Sequence, residues 1–278
     1  AGVSSGNDAR NDIIVRGNSP LGVLWRLEGI DIPNPNHFSA QGATGGPISM
    51  LNNNLLGNCD FLTGAFPAEY GNKTAAVFDL KLRNGNNEQT EFTGQVGING
   101  IELGAEGPIS KKQGSSYLVN YRYSTLEIFN RLGINFGVSA SPQYQDVSYK
   151  INVPTQKAGI FTCWGVGGSS SISLLDSKQK NGDWALTSKG QDLVYKTNMG
   201  ATGIANTHFF NPKISGKLSL SVSASKFIAT IDTLSPVDNS KFLTDYNNST
   251  EANYIGNYTL TAKLNSRHLI KTGATYQT

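Results

Sequence analysis

Along most of this chain apolar and polar side chains alternate one for one, and that period of two admits β-strands and little else. In residues 117–124, Tyr117, Val119, Tyr121 and Tyr123 share one face while Leu118, Asn120, Arg122 and Ser124 share the other. Val147, Tyr149, Ile151 and Val153 oppose Asp146, Ser148, Lys150 and Asn152 in the same way. Further on, Leu218, Leu220, Val222 and Ala224 oppose four serines, and Tyr254, Tyr258, Leu260, Ala262 and Leu264 oppose Asn257, Thr259, Thr261, Lys263 and Asn265. Alternation and turn chemistry together predict about nine strands, at residues 91–99, 101–109, 115–124, 143–153, 158–168, 192–209, 214–231, 251–264 and 268–277. At Asn99-Gly100 the parity flips, from Val96 and Ile98 to Ile101, Leu103 and Ala105. A two-residue type I′ turn over Asn99-Gly100 would pair Ile98 with Ile101; a bulge in one long strand is the alternative.

The links between these strands alternate in length. Those at 107–114, 154–157, 210–213 and 265–267 are short, whereas those at 125–142, 169–191 and 232–250 are long. Short turns on one rim and long loops on the other are the pattern of an outer-membrane barrel. Tyrosines toward the ends of the apolar faces fit an interfacial girdle, and Ser, Thr, Asn and Lys on the polar faces fit a wet lumen. A soluble β-sandwich with a binding or adhesion role also alternates its faces, and a passive porin would share the barrel.

Composition agrees with a β-rich chain: 31 glycines and only 15% charged residues. No apolar run approaches the roughly 18 to 20 residues of a membrane helix, and the mean hydropathy of −0.29 is what alternating strands give. The net charge of +3 comes from scattered basic residues, so nucleic acid is not an expected partner.

Before residue 88 the texture differs. Short apolar runs at 12–15, 23–27, 48–56 and 75–82 are separated by Gly, Pro and Asn clusters. They predict a small α/β unit over residues 1–87, with strands at the first, second and fourth runs and a helix from Pro47 to Leu56. Its core is too small to be stable alone, so it needs something around it. The expected architecture is therefore a partial membrane β-barrel of about nine antiparallel strands at 88–278, with an N-terminal α/β domain at 1–87.

Three segments of the first region resemble the plug of TonB-dependent outer-membrane receptors. They are Asn11-Asp12-Ile13-Ile14-Val15-Arg16-Gly17, Val23-Leu24-Trp25-Arg26-Leu27-Glu28-Gly29-Ile30-Asp31-Ile32, and Gly64-Ala65-Phe66-Pro67-Ala68-Glu69-Tyr70-Gly71. The family pattern has Asp before the second glycine, where this chain has Glu28. Pro33-Asn34-Pro35-Asn36-His37-Phe38 and Asn120-Tyr121-Arg122-Tyr123-Ser124-Thr125-Leu126 are similar to the branch that carries a carboxypeptidase-regulatory-like domain before the plug. The resemblance implies a bacterial outer-membrane importer of chelated iron, cobalamin, oligosaccharide or peptide, energised through TonB. The family's barrels have 22 strands and a TonB box, which no segment before Asn11 resembles, so the chain is expected to be a fragment. Its expected partners are TonB, through a segment outside this sequence, a nutrient ligand and outer-membrane lipid.

By the same resemblance, Asn34, Asn36, His37 and Phe38 face the outside as candidate ligand contacts, and Arg16, Gly17, Glu28, Gly29, Glu69, Tyr70 and Gly71 carry the plug motif. Arg16 is expected to pair with barrel carboxylates, for which Glu102 and Glu106 on the lumen face are candidates. Three histidines without metal-ligand spacing, and no nucleophile elbow or phosphate loop, argue against an enzyme, a metal site or a cofactor. Cys59 and Cys163 match no metal or redox spacing and are expected as small buried hydrophobes, with a disulfide the alternative.

Overall fold

A computed structural model describes residues 2–5, 12–39, 43–71, 73–97, 100–124, 142–178 and 189–278. The N-terminal region opens with a two-stranded hairpin, β1 (Val3–Ser5) and β2 (Ile13–Val15). Then follow β3 (Val23–Leu27), β4 (Ile30–Ile32), β5 (Asn36–His37), β6 (Ile48–Ser49), β7 (Asp60–Leu62) and β8 (Ala76–Leu80). Strands β3, β4, β7 and β8 make one mixed sheet in the order β4-β3-β8-β7, with β3 and β8 parallel.

Two tight turns, at the Arg16-Gly17 and Glu28-Gly29 pairs of the motif segments, shape this unit. Glu28 and Gly29 both have positive φ, 55° and 86°, and join β3 to β4 so that Leu27 pairs with Ile30. Arg16 and Gly17, at 52° and 74°, reverse the chain after β2, where the Asn18 N–H donates to the Val15 carbonyl. A left-handed pair is what a type I′ turn requires, and glycine meets half of that demand without cost.

The helix expected from Pro47 to Leu56 does not form. Ile48–Ser49 pairs as β6 with β5, and only Asn53–Leu55 winds, into one 3-10 turn. Asn52 is the reason: its side-chain oxygen accepts from the Asn54 N–H at 2.8 Å, diverting the backbone from an α-helical pattern. Among the described residues the unit has no α-helix, so its α/β description is corrected to strands and 3-10 turns.

From residue 91 onward nine strands form one antiparallel meander in strict chain order: β9 (Glu91–Gly97), β10 (Gly100–Ser110), β11 (Ser115–Tyr123), β12 (Gln143–Pro154), β13 (Ile160–Leu175), β14 (Gln191–Asn211), β15 (Ile214–Leu234), β16 (Lys241–Lys263) and β17 (Leu269–Gln277). Gly97 pairs with Gly100 and Val96 with Ile101, so Ile101 does not take Ile98 as its expected partner; residues 98–99 lie outside the described residues. Gly100 is held in the strand because a Cβ there would come within 2.6 Å of the Tyr123 carbonyl on β11.

The expected long loop at 232–250 is mostly strand, since β15 continues to Leu234 and β16 begins at Lys241. Lys241–Thr250 is exposed along nearly its whole length, and its apolar residues, Phe242, Leu243 and Tyr246, do not alternate with the polar ones. Strand β13 likewise runs to Leu175, well past the expected end at 168. The other two long links lie largely at 125–141 and 179–188, outside the described residues, as do Asn11 and Gln41-Gly42.

The two faces of the sheet separate as the alternation requires. Leu103, Val119, Tyr121, Ile204, Leu218, Leu220, Tyr254 and Tyr258 are exposed on one side. Glu102, Glu106, Asn120, Asp146, Ser148, Lys150, Thr197 and Ser219 are buried on the other, against the N-terminal unit. No second layer covers the apolar side among the described residues, which removes the sandwich alternative.

One feature of the inner face is apolar. Leu118, Trp164, Val166, Met199, Ala201 and Ile255 project from four strands into the core formed by Leu27, Ile30, Ile32, Met50, Leu55, Leu80 and Leu82. The N-terminal unit thus completes its small core with side chains of the wall, at roughly 1.5–3 kcal/mol per fully buried large apolar side chain.

Candidate functional site

The chemistry-bearing residues gather where the N-terminal unit meets the wall. The Glu28-Gly29 turn projects toward β12 and β15. There the Glu28 carboxylate accepts from the Lys150 ammonium at 2.8 Å and from the Leu82 N–H at 2.9 Å, while its carbonyl accepts from Lys217 at 2.8 Å. Lys150 also donates to the Leu82 carbonyl, so both charges are hydrogen-bonded as well as paired.

Where the chain passes from the unit to β9, Arg83 and Glu106 form a fork. Nη1 and Nη2 reach the two carboxylate oxygens at 2.7 and 2.6 Å, and the Asn86 N–H adds a third bond to the carboxylate. The carboxylate holds the Arg83 pKa above its ordinary value. Glu102 accepts from Asn52 and Asn120. Glu102 and Glu106 therefore face inward as expected, but Arg16 is not their partner. It is exposed in its turn with its guanidinium beside Gly64, and the plug-to-wall pairing assigned to it is corrected to Arg83.

A third cluster joins β5 to the upper part of the wall. His37 is fully buried and its Nε2 lies 2.9 Å from an Asp146 oxygen, which also accepts from Arg122 Nε at 2.9 Å and Nη2 at 2.7 Å. Arg122 in turn donates to the Ser49 carbonyl. Burial pushes the His37 pKa below 6.5 and outweighs the pull of Asp146, whose charge Arg122 already shares. The Nδ1 atom has no hydrogen-bond partner, which suits a neutral ring donating from Nε2, since protonation would strand a buried N–H.

These positions decide what the four ligand candidates do. The Asn34 side chain donates to the Ala43 and Gly45 carbonyls at 2.9 and 2.8 Å, and Asn36 donates to Asn34. Phe38, at φ 56°, donates its N–H to Ser170 and sets its ring edge-on to Tyr144. Asn36 and His37 are buried, so they brace the loop, whereas Asn34 and half-buried Phe38 keep some surface. Asn34 lines a cleft of about 200 Å³ with Trp25, Ser39, Thr44, Lys226 and Phe227, on the long-loop side of the unit.

The remaining motif residues meet the last strands. Glu69 lies 3.6 Å from Arg26 and accepts from Lys271 of β17 at 2.6 Å. Tyr70 sits under the Arg26 guanidinium and donates to Asp79 at 2.8 Å; burial and that carboxylate raise its pKa well above 10. Gly71 lines a polar cavity of about 580 Å³ between the unit and β16–β17. Sequence reasoning missed Lys150, Lys217, Asp146 and Lys271, whose one signal was a charge on the polar side of an alternating strand, and Arg83, which lies in the link before β9. Both cysteines are free; Cys59 is exposed and Cys163 half-buried, which corrects the expectation that both are buried.

No family model and no curated protein matches the sequence. Solved structures do. The pyoverdine outer membrane receptor FpvA from Pseudomonas aeruginosa PAO1 superposes with a TM-score of 0.67 at 15% identity, over 99% of this chain and 42% of that one. The siderophore receptor PirA from Acinetobacter baumannii gives 0.61 at 14% identity, over 99% and 44%. The ferric-catecholate import receptor Fiu from E. coli K12 gives 0.60 at 12% identity, over 99% and 45%. The chain thus shares its β-barrel fold with these outer-membrane receptors and spans less than half the length of each.

Proposed function

We propose that this chain is part of a TonB-dependent importer of the bacterial outer membrane, of the branch with a carboxypeptidase-regulatory-like domain. Residues 1–87 are its plug and 88–278 the opening strands of its barrel. The observation that carries this reading is the division of the sheet's two faces. Its apolar face is open, as lipid contact requires, and its polar face is closed on a separate N-terminal unit through ion pairs. A passive porin would leave that interior to water.

Ligand bound outside, near Asn34, Phe38 and the long loops, loosens the unit's hold on the wall, and TonB acting from the inner membrane pulls it aside. Ion pairs suit such a closure: with both partners present each gives modest net stabilisation, and its geometry fixes one seating. Chelated iron is the first cargo to test, because receptors for pyoverdine and ferric catecholates share the fold. Cobalamin, oligosaccharides and peptides follow from the family resemblance.

The test is expression of the whole gene in cells with and without TonB. Expected are outer-membrane partitioning, heat-modifiable gel mobility and TonB-dependent uptake of ferric chelates. A water-soluble product, or uptake indifferent to TonB, overturns the reading.

A further inference from the structure

Charge is distributed unequally between the two rims of the sheet. The four short turns carry Lys111, Lys112, Lys157, Lys213 and Arg267, with Lys263 closing β16, and not one Asp or Glu. All six cations are exposed, and none forms a salt bridge among the described residues. Lys150, Lys241 and Lys271, elsewhere on the sheet, are each paired with a carboxylate. Glu106, on β10 five residues before Lys111, is turned inward and taken up by Arg83. On the opposite rim two links mix signs, Glu127 with Arg131 and Asp176 and Asp183 with Lys178, Lys180 and Lys189, and the link between β15 and β16 carries Asp238.

Directly above the short turns stand exposed apolar side chains, Ile109, Phe161, Phe209, Phe210, Leu264 and Leu269. A row of aromatic and aliphatic side chains with cations just beyond it matches the depth profile of a leaflet, whose acyl chains give way to headgroups over a few ångströms. Between Val153, Phe161, Cys163, Ile204, Leu218 and Leu220 the same wall has an almost wholly apolar groove of about 310 Å³.

We propose that the short-turn rim is a binding surface for anionic phospholipid headgroups of the leaflet it reaches, with an acyl chain seated in that groove. Unpaired cations without interspersed carboxylates attract an anionic surface, while a zwitterionic headgroup offers them no net charge. The inference rests on the outer-membrane reading and adds the lipid class to it.

The test uses the complete receptor in detergent, titrated with phosphatidylglycerol or phosphatidylcholine of identical acyl chains and followed by native mass spectrometry. Phosphatidylglycerol is expected to be retained more tightly. The preference should weaken by up to about fivefold for each cation removed in Lys111→Gln, Lys112→Gln, Lys157→Gln, Lys213→Gln and Arg267→Gln. Lys178→Gln with Lys189→Gln, on the long-loop side, should leave it unchanged. Equal retention of the two lipids, or a preference that survives all five substitutions, overturns the proposal, and then an acidic protein is the partner to seek. Heat-modifiable mobility of the same samples reports the barrel separately: a folded barrel without lipid preference sinks this inference alone, whereas its absence sinks the importer reading.

Discussion

Lys150 and Glu28, 122 residues apart in sequence, meet at 2.8 Å between the wall and the N-terminal unit, each side chain only 9% exposed. Burial of that degree makes the pair asymmetric: its net worth is small, but losing one partner leaves a charge in a dry place. Lys150→Met should therefore weaken the unit's seating by about 3–5 kcal/mol, and Lys150→Met with Glu28→Gln should recover part of the loss. The measurement is the urea concentration at which the unit becomes protease-sensitive. A double variant as unstable as the sum of its singles would mean that the two groups do not act as a pair.

Arg83 and Glu106 invite the same experiment with a different outcome. Arg83 is 38% exposed, so water screens the fork despite its good geometry. Arg83→Ala should cost only about 1 kcal/mol in that assay. A loss as large as that of Lys150→Met would show that the hinge is far drier than its exposure indicates.

His37 links the unit to the wall in a pH-dependent way. Its folded pKa lies below the unfolded 6.5, so the unfolded form binds more protons as pH falls. The stability it contributes is complete above 6.5 and is lost as pH drops from there through the folded pKa. Asp146, Arg122 and Tyr144 face the ring, and of these the Asp146 carboxylate opposes the shift. Thiol labelling of Ser39→Cys, taken relative to exposed Cys59 so that the falling thiolate fraction cancels, should accelerate between pH 7.5 and 5 (about one unit either side of the free imidazole value), and His37→Gln should flatten that dependence. A dependence unaltered by His37→Gln would assign it to another group.

The same loop can be displaced without titration. A Cβ on Gly168 would come within 2.7 Å of His37 Cε1 and 3.0 Å of Met50 Sδ, with the Gln145 carbonyl at 3.1 Å behind it. Imidazole and thioether are held by packing and cannot both retreat. Gly168→Ala should raise Ser39→Cys labelling at pH 7.5 to the level that acid produces in the parent. Labelling no faster than in the parent would show that the loop is anchored elsewhere, for example by the Phe38 to Ser170 bond.

How much of this was readable depended on whether a residue's role was local. The strands of Tyr117–Tyr123, Asp146–Val153 and Leu218–Ala224 follow from alternation, whereas Arg16-Gly17 and Glu28-Gly29 stood out only by the family resemblance. Lys241–Thr250 was hidden because Phe242, Leu243 and Tyr246 do not fall at alternate positions. Trp164, Val166, Met199 and Ile255 break the polar inner face, and the break makes sense only beside the core they complete. Lys150, Asp146 and Arg83 read as polar positions, but their partners come from distant parts of the chain that no spacing relates. Pro47–Leu56 was misread because its apolar content outweighed three consecutive asparagines, whose backbone-seeking side chains decide the local fold.

Ile204 separates a membrane wall from a wet one. It is 57% exposed on β14, flanked by Leu220 and Cys163 on the neighbouring strands. On a surface in water, Ile204→Lys would change stability by no more than about 0.5 kcal/mol, since an exposed apolar residue there loses little on replacement. Facing hydrocarbon near the bilayer centre, the same lysine costs about 2–4 kcal/mol, because its ammonium must leave water or drag water in. Urea titration of the complete receptor in phospholipid vesicles, scored by heat-modifiable mobility, should show the larger figure, and Thr275→Lys, paired with Asn257 on the inner face beside the polar cavity, a much smaller one. A near-neutral Ile204→Lys would place this face in water and remove the physical basis for an outer-membrane wall.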